Sequence, residues 1–224
     1  MSRRLVNLTL DTLADLPRPC RQCVFWELDP VAAKEAREVG DPGLEKEAWV
    51  SQALLEWGSC GKLAYVGVAP AGYVMYAPPG YLPGATAFPT APVSADAVLL
   101  TTVHVVGPYH GRGLGRALVQ AAARDLARRG IRAIEAFGDT RPGEPDDTGL
   151  TGGRCVTPAD FFLAVGFKTV RRHPRFPRLR LEIRTVQSLR SDVEHALDSL
   201  LASVAGEALV RQDIRASARA SLGT

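Results

Sequence analysis

The stretch from Ala97 to Phe137 constrains the fold of this chain more than any other. Ala97 to Val106 is an apolar, β-rich run that leads into a turn with glycine at 111, 113 and 115. From Gly113 to Gly130, Leu114, Ala117, Leu118, Ala121 and Leu126 fall on one side and Arg116, Arg124, Arg128 and Arg129 on the other. That spacing predicts an amphipathic helix. A second β-rich run, Ile131 to Phe137, follows at once. The unit is β-α-β, and a helical crossover makes its two strands parallel neighbours.

The glycine turn carries chemistry as well as topology. The first N–H groups of a helix have no intrahelical partner, and the positive end of the helix dipole points back at whatever precedes it. Glycines at alternate positions let an anion approach that backbone, which suits a pyrophosphate. The turn is not a dinucleotide fingerprint, because its spacing is not G-x-G-x-x-G and helices and a hairpin precede it. Nor is it a P-loop, because the helix opens Gly115-Arg116-Ala117 where Gly-Lys-Ser/Thr is required.

The remaining segments read as follows. Arg4 to Thr9 is a short strand, and Asp11 to Leu16 a helical turn stopped by Pro17 and Pro19. Asp29-Pro30 and Asp41-Pro42 each place an N-cap before a proline at the first helical position, predicting helices that end near Gly40 and Gly58. Lys62 to Val68 and Ala71 to Ala77 form a hairpin turning at Ala-Pro-Ala-Gly. Pro78 to Pro92 is a loop, and Gly138 to Arg154 a mobile insertion and candidate active-site lid. Thr157 caps a helix with Pro158 at its first position and its end at Gly166; strands Phe167 to Arg172 and Pro177 to Thr185 follow. A capping box at Ser191 and Glu194 opens a last helix, whose stripe from Val193 to Val204 packs on the body or on a second subunit.

Composition narrows the class. With 46% hydrophobic and 23% charged residues, the chain is neither disordered nor collagenous, and a net charge of +3 makes no case for nucleic acid or a membrane surface. Four cysteines in 224 residues are not a disulfide framework. No apolar run reaches membrane-spanning length, and Met1 to Leu10 holds no signal-peptide core, so a cytoplasmic protein with reduced thiols is expected. The arginines from Arg171 to Arg184 are read as a solvated edge that prevents sheet-to-sheet pairing.

Two motifs in order, His110-Gly111-Arg112-Gly113-Leu114-Gly115 after Val105 to Tyr109, and Phe161-Phe162-Leu163-Ala164-Val165-Gly166-Phe167, resemble signatures of the GNAT superfamily of acyl-CoA-dependent N-acetyltransferases. The resemblance implies an α/β (α+β) GNAT fold. Its mixed, mostly antiparallel sheet would splay between the central parallel strands, with helices on both faces. The acetyltransferase domain would span 1–185 and a C-terminal helical extension 186–224. Acetyl-CoA would be the cosubstrate, with no metal. Its pantetheine would pair with backbone at Val103, His104 and Val105, and its pyrophosphate would sit on the turn from His110 and Gly111 through Arg112, Gly113, Leu114 and Gly115 to Arg116. His110 stands where the family usually has Arg or Gln. The implied activity is direct acetyl transfer to an amine of a small-molecule or peptide acceptor, with a homodimer possible. The alternative is a catalytically silent acyl-CoA sensor, because Phe162 occupies the position where many of these enzymes carry a proton-donating tyrosine.

Acetyl transfer needs a base for the acceptor ammonium, a group that polarises the thioester carbonyl, and a proton donor for the leaving thiolate. Four side chains are candidates. Cys155, just before a helix N-terminus, is a proton donor or a small buried hydrophobe. Glu135, inside a β-run, is a buried base or an edge residue. His104 is a base or a satisfied core histidine. Glu27 recognises a cationic amine or is the exposed acid of a buried aromatic helix. Cys20 and Cys23 have the spacing of half a zinc site, but no second pair completes it.

Overall fold

The structure, a computed structural model, describes residues 3–144 and 155–183. The expected C-terminal helix, and most of the insertion read as a lid, lie outside the described residues.

Local signals in the helical layer act as their chemistry requires. After strand β1 (Arg3–Asn7), Thr9 caps the single turn α1 (Leu10–Leu13), and α2 (Arg18–Arg21) starts after Pro17. Asp29 Oδ1 accepts from Val31 and Ala32 N–H to open α3 (Pro30–Glu38), and Asp41 Oδ1 accepts from Gly43 and Leu44 N–H to open α4 (Pro42–Glu56). In both helices the caps satisfy orphan donors while proline occupies a position that needs none.

Strands β2 (Gly61–Val66) and β3 (Ala69–Ala77) form the antiparallel hairpin. Its turn is Gly67-Val68, because Val66 pairs with Ala69 and Gly67 has a φ of +64°. Ala69 to Gly72, read from sequence as the turn, belongs to β3, and a register shift there accommodates Pro70. The proline-rich segment that follows is packed, with Leu82, Ala85 and Phe88 buried. Then come β4 (Ala97–Val105), α5 (Leu114–Arg128), β5 (Ala133–Phe137), α6 (Ala159–Ala164), β6 (Lys168–Arg171) and β7 (Arg178–Glu182).

These strands make one mixed sheet in the order β1-β2-β3-β4-β5-β7-β6, in which only β4 and β5 are parallel. Among the described residues one face carries a core of Leu8, Trp26, Trp49, Tyr73, Met75, Leu99 and Phe137. The other carries Val74, Tyr76, Leu100, Leu118, Leu126, Phe162 and Leu179 under α5 and α6.

Two irregularities in β4 set up the site. Tyr76 pairs with Leu100 and Met75 with Thr102, so Thr101 is an extra residue, held by its hydroxyl donating to Met75 O at 3.2 Å. Such a bulge bends a strand and resets which face each side chain takes. Beyond it Val103 and Val105 pack on the α5 side, which turns His104 to the opposite face. The parallel pairing with β5 covers Ala97↔Ala133, Val98↔Ile134 and Leu99↔Glu135 and goes no further. Past Leu99 the two strands part, and Val103 to Val105 become half-buried.

Candidate active site at the split sheet

The cleft where β4 and β5 part has a backbone edge on one side. Val106 N–H bonds to Ala71 O (2.9 Å), so by the alternation of an antiparallel ladder the N–H and C=O groups of Val103 and Val105 point away from β3, toward the space β5 has left. Val103 N–H donates to Thr157 Oγ1 at 3.0 Å, and Val105 O is hydrogen-bonded to His110 Nε2 at 2.6 Å. Thr157 is therefore not a helix cap. Pro158 takes that position with no side-chain bond, because the threonine hydroxyl is committed to β4.

At the mouth of the cleft lies the glycine turn. Gly111 and Gly113 have φ of +70° and +75°, the left-handed region that side chains disfavour, and a Cβ at either would meet nothing within 4 Å. The first bond of α5 is Ala117 N–H to Gly113 O (3.1 Å), so the amides of Leu114, Gly115 and Arg116 precede the ladder and face the turn. A cavity of about 220 Å³ adjoins it, lined by Arg3, Val66, Tyr109, Arg112 and Leu114. Arg3 and Arg112 thus line a cavity beside a helix start whose first amides precede the ladder, an arrangement that suits an anion.

Gly115 serves another purpose than the sequence suggested. A Cβ there would come within 2.9 Å of the Phe161 ring, so this glycine admits α6 against the first turn of α5. The Arg116 guanidinium also donates to Ala164 O (2.8 Å) at the end of α6. Only its amide is left to the turn.

The two carboxylates proposed from sequence are neutralised. Glu135 is fully buried, 3.3 Å from Arg178 Nε and 3.2 Å from Arg180, and accepts from Ser94 N–H. A base must offer an unclaimed lone pair to its substrate, and these oxygens are held by two guanidiniums and an amide. The arginines read as a solvated edge are thus partly internal. Arg178 and Arg180 serve Glu135, and buried Arg175 lies 3.5 Å from Asp139. Glu27 is likewise buried, one oxygen ion-paired with buried Lys46 and the other without a hydrogen-bond partner among the described residues. Its charge is already balanced, so it is not an exposed acid waiting for an amine.

The other two candidates both lie near Tyr73. His104 shares a face of the sheet with Tyr73, their rings 5.7 Å apart. Cys155 sits at the cleft, its carbonyl accepting from Thr102 Oγ1 (3.4 Å) and Trp26 Nε1 (3.2 Å). Its sulfur lies 3.0 Å from Cys23 Sγ. The hydrogen bond from Cys155, outweighing burial, lowers the Cys23 thiol to about 7, while the same bond, with burial, raises Cys155 well above the ordinary thiol range. Cys20 faces the Tyr73 hydroxyl, and burial raises both groups. Phe162, at the position expected for tyrosine, is fully buried against Phe167 (centroids 5.0 Å apart).

Cys23, Tyr73, Lys46 and Thr157 stand at the candidate site without having been assigned to it from sequence. Tyr73 could have been found from its parity on β3. Cys23 lies 132 positions from its partner, and no local pattern reveals that contact.

A family model described as the acetyltransferase (GNAT) family matches residues 13–145. The chain belongs to the GNAT acetyltransferase family. It is therefore an acyltransferase by class, and the sheet splayed at its parallel pair is the fold expected of a member. No curated protein matches the chain. Among solved structures it is similar to the PaiA N-acetyltransferase of Thermoplasma acidophilum, crystallised with coenzyme A, at 13% identity and a TM-score of 0.51 over 81% of this chain and 99% of that one. It is similar too to an N-acetyltransferase from Staphylococcus aureus Mu50, at 11% identity and a TM-score of 0.51 over 82% of this chain and 100% of that one. A third is the loading GNATL domain of CurA from Lyngbya majuscula, at 13% identity and a TM-score of 0.50 over 82% and 98%. At such identities the likeness is one of fold. Among the described residues no helix is long and apolar enough to cross a membrane, and no group of three or more His, Cys, Asp or Glu is placed to hold a metal.

Proposed function

We propose that this GNAT acyltransferase moves an acetyl group from acetyl-CoA directly to an amine of a small-molecule or peptide acceptor, in the cytoplasm. The observation that carries this is the end of the β4–β5 pairing at Leu99↔Glu135, which opens a backbone edge at Val103 and Val105 next to the open glycine turn. In this reading the amides from Gly111 to Arg116, with Arg3 and Arg112, hold the pyrophosphate end, and Val105 pairs with the pantetheine arm. Val103 N–H exchanges Thr157 Oγ1 for the thioester carbonyl and polarises it. Cys155, at the cleft with its sulfur 3.0 Å from Cys23, protonates the departing CoA thiolate in place of the missing tyrosine. His104 takes the proton of the acceptor ammonium. Glu27 and Glu135 hold the framework.

The test is calorimetric binding of acetyl-CoA to Gly113→Glu and Gly113→Ala. Both carry the cost of a side chain at positive φ, about 1–2 kcal/mol, but only the glutamate sets a carboxylate against a pyrophosphate. Binding is lost in Gly113→Glu and largely kept in Gly113→Ala; equal affinities overturn that placement of the pyrophosphate. A second reading, a silent acyl-CoA binder, is favoured by Phe162. It predicts acetyl-CoA binding without CoA release across a broad amine panel, whereas the proposal requires release with at least one acceptor class.

A further inference from the structure

We infer that Cys23 and Cys155 form a dithiol site that a hydroperoxide converts to an intramolecular disulfide. Their sulfurs are 3.0 Å apart, and a disulfide requires about 2.05 Å, so closure asks for a movement of about 1 Å. Both thiols are only partly buried. Both backbones are anchored: Lys46 Nζ donates to Cys23 O (3.0 Å), while Trp26 Nε1 and Thr102 Oγ1 donate to Cys155 O. The attacking sulfur is Cys23, the member of the pair whose thiol the hydrogen bond from Cys155 lowers to about 7. The other cysteines are set apart. Cys60 is fully buried and pushed up to about 12 by burial, and burial raises Cys20, which faces Tyr73.

The chemistry balances with a hydroperoxide as the named oxidant. Cys23 thiolate attacks the terminal peroxide oxygen; the S–O bond forms, the O–O bond breaks, and the departing oxyanion takes a proton from solvent. Cys155 sulfur then attacks the Cys23 sulfenic acid; the S–S bond forms, the S–O bond breaks, and the hydroxide leaves as water with the Cys155 proton. With hydrogen peroxide the sum is two thiols and one peroxide to one disulfide and two waters. The disulfide ties the segment holding Thr157 against β4 to the connection after α2, and it removes the Cys155 thiol. For this consequence alone the inference rests on the proposed transfer reaction, and it predicts that oxidation silences transfer.

The test treats the full chain with hydrogen peroxide near stoichiometry at pH 7, then counts thiols in denaturant and maps peptides by mass spectrometry. Four free thiols fall to two, intact mass drops by about 2 Da, and the cross-linked peptide joins Cys23 to Cys155, all reversed by dithiothreitol. Cys23→Ser, checked for folding by circular dichroism, yields no such cross-link. Four surviving thiols, a Cys20–Cys23 bridge, or oxygen addition at one cysteine overturns the site. Transfer activity of the oxidised wild type falls at least tenfold and recovers on reduction. If the cross-link forms and transfer is unchanged, the proton-donor role of Cys155 fails and the dithiol site stands.

Discussion

Replacing Glu135 with glutamine separates a structural carboxylate from a catalytic one. The side chain is fully buried and receives Arg178, Arg180 and Ser94 N–H. Removing one partner of a buried ion pair costs about 3–5 kcal/mol, since the other charge is left uncompensated. Here the value falls at the lower end. Arg180 keeps Asp96 at 2.7 Å and Glu182 at 2.6 Å, and the amide oxygen of glutamine can still accept from Ser94. Arg178 is left worst, because Glu135 is its one ion-pair partner among the described residues. A loss of about 3 kcal/mol is expected, which for a body of this size lowers Tm by roughly 6–12 °C. Thermal unfolding by circular dichroism measures that shift, and CoA release well below both midpoints measures turnover. The variant melts early and keeps kcat/KM close to wild type. A rate loss of about 10²–10⁴, the contribution of a general base, with Tm unchanged would refute the argument and return Glu135 to the chemistry.

Two further substitutions probe the cleft and the sheet behind it. Thr157→Val removes the acceptor that Val103 N–H must give up to meet a thioester carbonyl; with a hydrogen bond worth about 1 kcal/mol, the Kd for acetyl-CoA should fall roughly fivefold by calorimetry while the free protein melts earlier. An unchanged Kd removes Val103 N–H from the acyl site. Burial would raise the Asp125 carboxyl, but Lys62 Nζ (3.0 Å), the Tyr76 hydroxyl (3.1 Å) and Arg129 hold it below the usual range. A depressed pKa contributes stability that is present above the unfolded value of about 3.9 and lost as pH falls through the folded one. Urea melts of Asp125→Asn should therefore show lower stability at pH 7 and a shallower decline below about pH 4 than wild type. Parallel curves would refute the assignment.

Local chemistry alone determined the parts of this protein that close within a few residues. Asp29-Pro30 and Asp41-Pro42 start their helices where the caps and prolines require, because those bonds span two or three positions. The apolar runs at Ala97 and Ile131, joined by one amphipathic helix, determined a parallel pair, and the glycines at 111 and 113 determined an open turn at positive φ. Period and backbone freedom belong to the residues themselves. The Thr157 hydroxyl was legible as a cap and was taken by Val103 instead, 54 positions away, because a long-range donor outcompeted the local one. Glu135 reads the same from sequence whether it faces solvent, substrate or arginine; only the antiparallel register Glu135↔Arg180 on β5 and β7 decided it. The bulge at Thr101 reversed the parity of β4 and so placed His104, and the meeting of Cys23 with Cys155 required the sheet and the helical layer to close first. Charge pairing and thiol proximity are properties of distance in space, which no spacing along the chain encodes until the fold has brought the ends together.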